Sequence, residues 1–344
     1  MLTTTQLQEI KEKLENSQNP LFFFDNDVDG FCAFLILRKA IGRGRGVAIK
    51  SFPDLKKQYL RKVDELNPDL IVVLDKAEIN EEFIIGIEER NLLLIWMDHH
   101  ETKTPIELLK RVNYYSSHPS SEPTTYLAQK VFDNKSERWL AMIGCTGDVY
   151  TPEFAEEFEK EFPELFNSKI PAFDALLSTE IGKIARMLNF GLMDSITNVV
   201  NLIKYLFKSN GPYDLLEENK ETKQFHKRYN ELNKIYNKQV EKAEDKIDKS
   251  SNLIFFSYSG QISMSSQISN KLYYDNKNKL IVVAFKRPEK VTISIRGKRA
   301  LKITKEAIKN IEGATGGGHE EATGAMIPIG DFEKFKKKIE ELAF

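Results

Sequence analysis

The stretch LFFFDNDVDG, residues 21–30, sets Asp25, Asp27 and Asp29 at alternate positions directly behind four apolar residues. Like charges that close repel one another unless water or a cation stands between them. Taken alone, the stretch fits an Asx-type turn closing a strand, or a calcium loop. The calcium-loop reading fails a few residues on. Leu35–Leu37 occupy the region where the bidentate glutamate belongs, and the preceding segment is strand-like where an EF loop follows a helix.

The same construction recurs down the chain. Asp75 follows LIVVL directly, and Asp98, His99 and His100 follow LLLIWM directly. The apolar runs Leu21–Phe24, Val47–Phe52, Leu70–Leu74 and Leu92–Met97 have strand length and strand composition. Segments with helical spacing lie between them, among them GFCAFLILRKAIGRGRG, which glycines close. Strands alternating with helices predict an α/β fold with a doubly wound, mostly parallel sheet. In such a sheet the carboxyl ends of the strands share one edge, and ligands bind there. Asp148, in AMIGCTGDVY, is a fourth candidate just past an apolar stretch.

Any one of these aspartates could be a helix N-cap. Four acidic positions converging on one edge need a cation between them. The donor set is rich in oxygen, carries one or two imidazoles and has no thiolate, which suits Mn²⁺ first and Mg²⁺ second. Five or six such ligands exceed what one catalytic ion uses. Two divalent cations about 3.5–4 Å apart, sharing a carboxylate, are the expected solution.

The rest of the chain sets the frame. With 344 residues, 41% hydrophobic and 29% charged, it is long enough for about two domains. Its texture divides it into residues 1–150, a helical stretch and connecting helix at 151–252, and a smaller C-terminal α/β domain at 253–344. No apolar run approaches the ~18 residues of a membrane span, so no membrane partner is expected. The start, MLTTTQLQEIKEKLENS, reads as an amphipathic helix without a signal-peptide core. Cys32 and Cys145 stand alone, which indicates neither a disulfide framework nor a zinc site. A cytoplasmic protein is the expectation.

Net charge is −1, yet it is unevenly spread. Residues 153–164 carry six glutamates against one lysine, whereas residues 286–305 carry eight Lys/Arg against one glutamate. That basic stretch could meet phosphates while the whole chain stays neutral. In the same region Arg296 sits on a predicted strand. TGGGHEEATG follows, and the glycines at 316, 317 and 318, just before His319, would let backbone amides approach an anion. His118 sits in a loop, and His226 reads as a surface residue of a charged helix.

Together these residues resemble the DHH phosphoesterase superfamily, in its RecJ-like branch. DNDVDG looks like its first motif, VVLD its second, MDHHE its third and GCTGDV its fourth. The final ~90 residues look like the DHHA1 domain that accompanies it, with Arg296, Gly316, Gly317, Gly318 and His319 as the substrate-binding signature. Carried over, the resemblance implies Asp27 on the first metal, Asp29 on the second and Asp75 bridging both. His99 and Asp148 complete the second site, and Asp25 is a further ligand. His100 faces the scissile phosphate as a catalytic residue, with Asp98 orienting the histidines. Phe23 stands where many members carry a histidine, so that either Asp25 compensates at the first ion or that ion is held weakly. An OB-type extension is missing, and the lysine-rich helical insert looks like archaeal RecJ-like proteins.

The function so implied is a two-metal phosphodiesterase: an exonuclease on single-stranded DNA or RNA in repair or replication. Two alternatives stay open. One is an oligoribonuclease (nano-RNase) or cyclic-dinucleotide phosphodiesterase acting on short oligonucleotides. The other is a non-catalytic replisome component like Cdc45. A repair helicase or the replisome are the partners the resemblance implies, and self-association stays open.

Overall fold

The computed structural model describes residues 1–50 and 54–343. They form two compact units, Met1–Tyr229 and Asn230–Phe344. Among the described residues, no helix is long and apolar enough to cross a membrane.

The first unit is built on a five-stranded parallel sheet: β1 (Pro20–Asp25), β2 (Arg45–Ile49), β3 (Leu70–Leu74), β4 (Leu93–Asp98) and β5 (Asn113–Ser116). The strand order is β2-β1-β3-β4-β5. Four of these strands are the apolar runs anticipated from sequence. Residues 51 and 52, the end of the predicted second run, lie outside the described residues. The fifth strand, NYYS, was not anticipated.

β1 and β3 lie inside the sheet and are covered on both faces, which is why they read as unbroken apolar runs rather than alternating ones. Their residues still divide by the two-residue period. Phe22 and Phe24 point to one side and pack on Phe34 of the helix Val28–Ile41, with ring centroids 5.4 and 4.9 Å apart. Phe23 points to the other side and meets Phe83 edge-on at 5.6 Å. Phe23, Ile71, Val73, Phe83, Leu94 and Trp96 belong to the core of that second face. Burying each such side chain stabilises the fold by roughly 1.5–3 kcal/mol.

The order matters for function. Connections from β1 run to β2 on one side and, later, to β3 on the other, so the winding reverses between β1 and β3. A crevice opens outside the carboxyl ends at that reversal. Asp25 ends β1 and Asp75 follows β3 immediately. Sheet topology alone therefore puts two acidic groups at the mouth of the crevice.

Gly30 makes the close approach there. The helix Val28–Ile41 starts three residues past β1, and Asp27 caps it by accepting a hydrogen bond from the Gly30 N–H at 3.0 Å. A Cβ on Gly30 would stand 2.9 Å from the Asp25 backbone nitrogen and 3.2 Å from the Asp75 Cβ. Backbone cannot step aside as a flexible side chain can.

The second unit holds a mixed sheet of β6 (Leu253–Ser259), β7 (Leu280–Lys286), β8 (Lys290–Arg296), β9 (Thr315–His319) and β10 (Ala322–Pro328). Its order is β9-β10-β8-β7-β6, with only β6 and β7 parallel. The glycine-rich segment expected to offer loop amides is instead the edge strand β9, hairpinned onto β10. The helix Lys223–Glu244 buries Tyr229, Leu232, Tyr236, Val240 and Ala243 along one stripe.

Replacing Gly30 by alanine should lower thermal stability, by about 1–3 kcal/mol from overpacking, and should weaken divalent-ion binding as the helix start is displaced. Melting curves with and without Mn²⁺ check both halves.

Candidate metal centre

Acidic side chains and two histidines gather at the carboxyl edge of β1, β3 and β4. Asp98 ends β4 and is fully buried, with both oxygens engaged by His100: the ring Nδ1 lies 2.8 Å from Oδ1, and the backbone N–H donates to Oδ2 at 3.0 Å. This clamp fixes the orientation of the His100 ring. His99 is buried, its ring centroid 4.2 Å from that of His100. Its Nε2 lies 3.3 Å from Asp75 Oδ1 and 3.9 Å from Asp29 Oδ2, and its Nδ1 lies 3.6 Å from Asp148 Oδ2.

Those distances lie at or beyond the outer edge of hydrogen-bond contact. Asp29 and Asp75 lie on the Nε2 side of the His99 ring and Asp148 on its Nδ1 side. Among the described residues, two groups could enclose an ion: Asp29, His99 and Asp148, and Asp75, His99 and His100, with ligand atoms within 4.8 Å of one another in each. Carboxylate oxygens with imidazole nitrogen and no sulfur are a donor set that fits Mn²⁺ or Mg²⁺. The residues present fit such ions. Neither Asp25 nor Asp27 falls in either group.

Each acid is held by its own local device. Asp29, in the first turn of its helix, is 2% exposed. Its two oxygens accept from the backbone N–H groups of Thr124 and Thr125, at 2.9 and 2.8 Å, at the start of the helix Thr124–Phe132. Unpaired N–H groups at a helix N-terminus favour an anion. Asp75 is 1% exposed and has φ = 58°, the left-handed region that non-glycine residues seldom occupy. Such backbone strain persists where the surroundings enforce it. Here the Asp75 N–H donates to the Met97 carbonyl at 2.9 Å, and the Thr124 hydroxyl reaches Asp75 Oδ1 at 3.3 Å. Asp148, just past its apolar stretch, follows a helix rather than a strand. It caps the C-terminal end of the helix Arg138–Gly147.

The electrostatics show the cost of this crowding without a cation. Burial first, then neighbouring charge, pushes the acids up: Asp75 and Asp148 each rise to about 7. Asp29 rises well above the ordinary carboxylate range for the same reasons, with Asp75 the chief neighbour. Asp27 sits at the exposed rim, yet protein packed behind it and the charges of Asp75 and Asp25 drive its carboxyl upward as well. Burial would depress His100, but its bond to Asp98 and the charges of Asp75 and Asp148 outweigh that and lift it to about 10. Without a metal ion, these neighbours favour the imidazolium form of His100.

Three contributors carried no sequence signal. Thr124 and Thr125 act through backbone N–H groups about a hundred residues from Asp29. Lys76, directly after Asp75, buries its side chain to 1% exposure and sets its Nζ 3.3 Å from Asp25 Oδ1. Phe23, at the position where a histidine was noted as missing, has its ring in the core, fully buried. His118 is exposed, and His226, anticipated as a surface residue, is half-buried beside Phe225.

In the second unit, Arg296, Ala322 and His319 pair across β8, β10 and β9 in one row. Directly paired residues share a face. Arg296 is held by the helix Ser265–Asp275, donating from Nε to Asn270 Oδ1 at 2.6 Å and from Nη2 to Ser266 Oγ at 3.0 Å. Among the described residues no carboxylate pairs with it, and burial alone lowers the guanidinium to about 10. The space over Gly317 is open. Gly318, at φ = 132°, is the one glycine of the three that the backbone conformation demands.

Residues 254–343 match the family model of the DHHA1 domain. No curated protein matches the chain by sequence. Among solved structures, RecJ from Thermus thermophilus in complex with Mn²⁺ is similar with a TM-score of 0.72 and 15% identity. The match covers 99% of this chain and 55% of that one. The chain thus spans little more than half the length of that relative. An exonuclease RecJ bound to manganese is similar at a TM-score of 0.68 and 16% identity, covering 99% of this chain and 95% of that one. Cdc45 from Entamoeba histolytica is similar at 0.53 and 10%, with 98% of each chain covered.

Without metal, Asp75 in the folded protein takes up protons at a pH where the unfolded chain does not. Stability then falls as pH rises from about 4 to about 7. In EDTA at pH 8, Asp75→Asn should melt above the native sequence, and the gap should close as pH drops toward 4. Melting curves across that range check it; a gap constant with pH would contradict the burial account. The chain carries a DHHA1 domain at residues 254–343 and has the DHH–DHHA1, RecJ-like fold that its motifs resemble.

Proposed function

We propose that the chain is a divalent-metal-dependent phosphodiesterase, acting as an exonuclease on single-stranded DNA or RNA. The observation that carries this reading is the gathering of Asp29, Asp75 and Asp148 around His99 at the crevice of the parallel sheet, with carboxylate oxygens 3.3–3.9 Å from one or other of its ring nitrogens. Asp29, Asp148 and His99 would hold one ion, Asp75 would be shared, and Asp27 with Asp25 would serve the other. Bound there, Mn²⁺ or Mg²⁺ would polarise the phosphodiester and acidify an attacking water.

The chain's own residues supply the rest. His100, in its protonated form, can donate a hydrogen bond to the phosphate oxygen on which charge develops, and can release its proton to a leaving alkoxide. Asp98 keeps that ring in place and keeps it protonated. Asp29 is oriented by the Thr124 and Thr125 N–H groups, so the ligand is set before an ion arrives. In the second unit, Arg296 is a half-buried cation without a carboxylate partner among the described residues, and a phosphate is the anion its planar fork suits. His319 and the open backbone at Gly317 share its face. The lysines and arginines at 286–305 would track the remaining phosphates, so binding should weaken with salt.

Retention of the acidic set favours an enzyme over a scaffold of the Cdc45 kind. End-labelled single strands of DNA and RNA, with dinucleotides alongside, should be digested in Mn²⁺ and spared in EDTA. Asp29→Asn should cost about a hundredfold or more, and His100→Ala about 10²–10³-fold in kcat. Arg296→Ala should raise KM by about tenfold with a smaller effect on kcat, as expected for a lost charge-assisted contact. Cleavage of dinucleotides alone would move the assignment to short oligonucleotides. A folded, Mn²⁺-loaded protein that turns over none of these substrates would contradict the reading.

A further inference from the structure

The centre contains a cation of its own. Lys76 follows Asp75, and its side chain is 1% exposed, among the largest fully buried side chains in the protein. Lysine is almost never fully buried unless paired, because its ammonium loses its hydration. Here Nζ stands 3.3 Å from Asp25 Oδ1. The backbone at this point is pinned: the Trp96 Nε1–H donates to the Lys76 carbonyl at 2.8 Å, and the preceding Asp75 sits in the left-handed region. The ammonium is thus a fixed part of the acidic edge.

The distribution of ligands agrees. The groups able to enclose an ion draw on Asp29, Asp75, His99, His100 and Asp148. Asp25, whose side chain is 29% exposed, meets the lysine. Phe23, two residues before it, packs in the core and offers no donor. An ion brought to the Asp25 side would meet a positive charge at short range and would compete for an oxygen already engaged.

We propose that Lys76 sets the metal stoichiometry of the centre. Standing on Asp25, its ammonium takes by charge the place of one divalent ion. The chain then holds one ion tightly, through Asp29, Asp75, His99 and Asp148, and a second only weakly. This rests on the metal-dependent reading and makes Lys76 a positioning residue, one that acts through Asp25.

The test is equilibrium binding of Mn²⁺ to the full chain, following free Mn²⁺ by electron paramagnetic resonance. The native protein should bind one Mn²⁺ per chain tightly and a second at least about tenfold more weakly. Lys76→Met should bring the second ion to within about threefold of the first, whereas Lys76→Arg, which keeps the cation, should leave a single tight ion. Two equally tight ions in the native protein would overturn the proposal, as would a folded Lys76→Met protein that still binds one. If Lys76→Met does not fold, Asp25→Asn decides. The tight ion should keep its affinity within about twofold; a loss of tight binding would show that Asp25 is a primary ligand and overturn the proposal. A native chain that binds no Mn²⁺ would instead overturn the metal-dependent reading itself.

Discussion

Repulsion among carboxylates at one edge of a parallel sheet is the constraint on which this structure turns. Asp29, Asp75 and Asp98 are each exposed by 2% or less, and Asp25, Asp27 and Asp148 stand close by. A protein interior tolerates such a set only with compensating positive charge. The molecule supplies part of it: the His100 imidazolium on Asp98, the Lys76 ammonium on Asp25 and the helix N-terminus under Asp29. The remainder, centred on Asp29, Asp75, His99 and Asp148, is what the proposed divalent ion would supply. The left-handed backbone at Asp75 is consistent with a side chain held there for function rather than for packing.

The second unit poses the same problem with the sign reversed. Arg296 is fixed by Asn270, Ser266 and backbone carbonyls, and none of these neutralises it. One unit presents acids in want of a cation, the other a cation in want of an anion. The proposed metal-dependent reaction on a phosphate polyanion would answer both needs. The near-zero net charge of the chain conceals this division, because it averages two opposite local fields.

Much of the site was legible in the sequence, and the reasons are physical. Strands buried on both faces leave unbroken apolar runs, so LFFF, LIVVL and LLLIWM announced themselves, and whatever followed them had to lie at the ligand-binding edge. What escaped lacked such a signal. NYYS at 113–116 is a short, half-exposed edge strand. Glycine is depleted in strands, so GGG at 316–318 read as loop although it pairs along β10. The apolar stretch before Asp148 is a buried helix, which leaves an apolar run as a buried strand does. Lys76 gave no sign of burial, since its partner Asp25 lies fifty-one residues away and only the sheet order brings them together. The same holds for Thr124 and Thr125, whose contribution is made by backbone N–H groups.

Crystals grown metal-free and soaked in Mn²⁺, with data collected at the manganese absorption edge, test the central claim most directly. The account predicts a strong anomalous peak among Asp29, Asp75, His99 and Asp148, with their donor atoms drawn together around it. Side chains parted around ordinary solvent, with no anomalous signal at that edge, would contradict it.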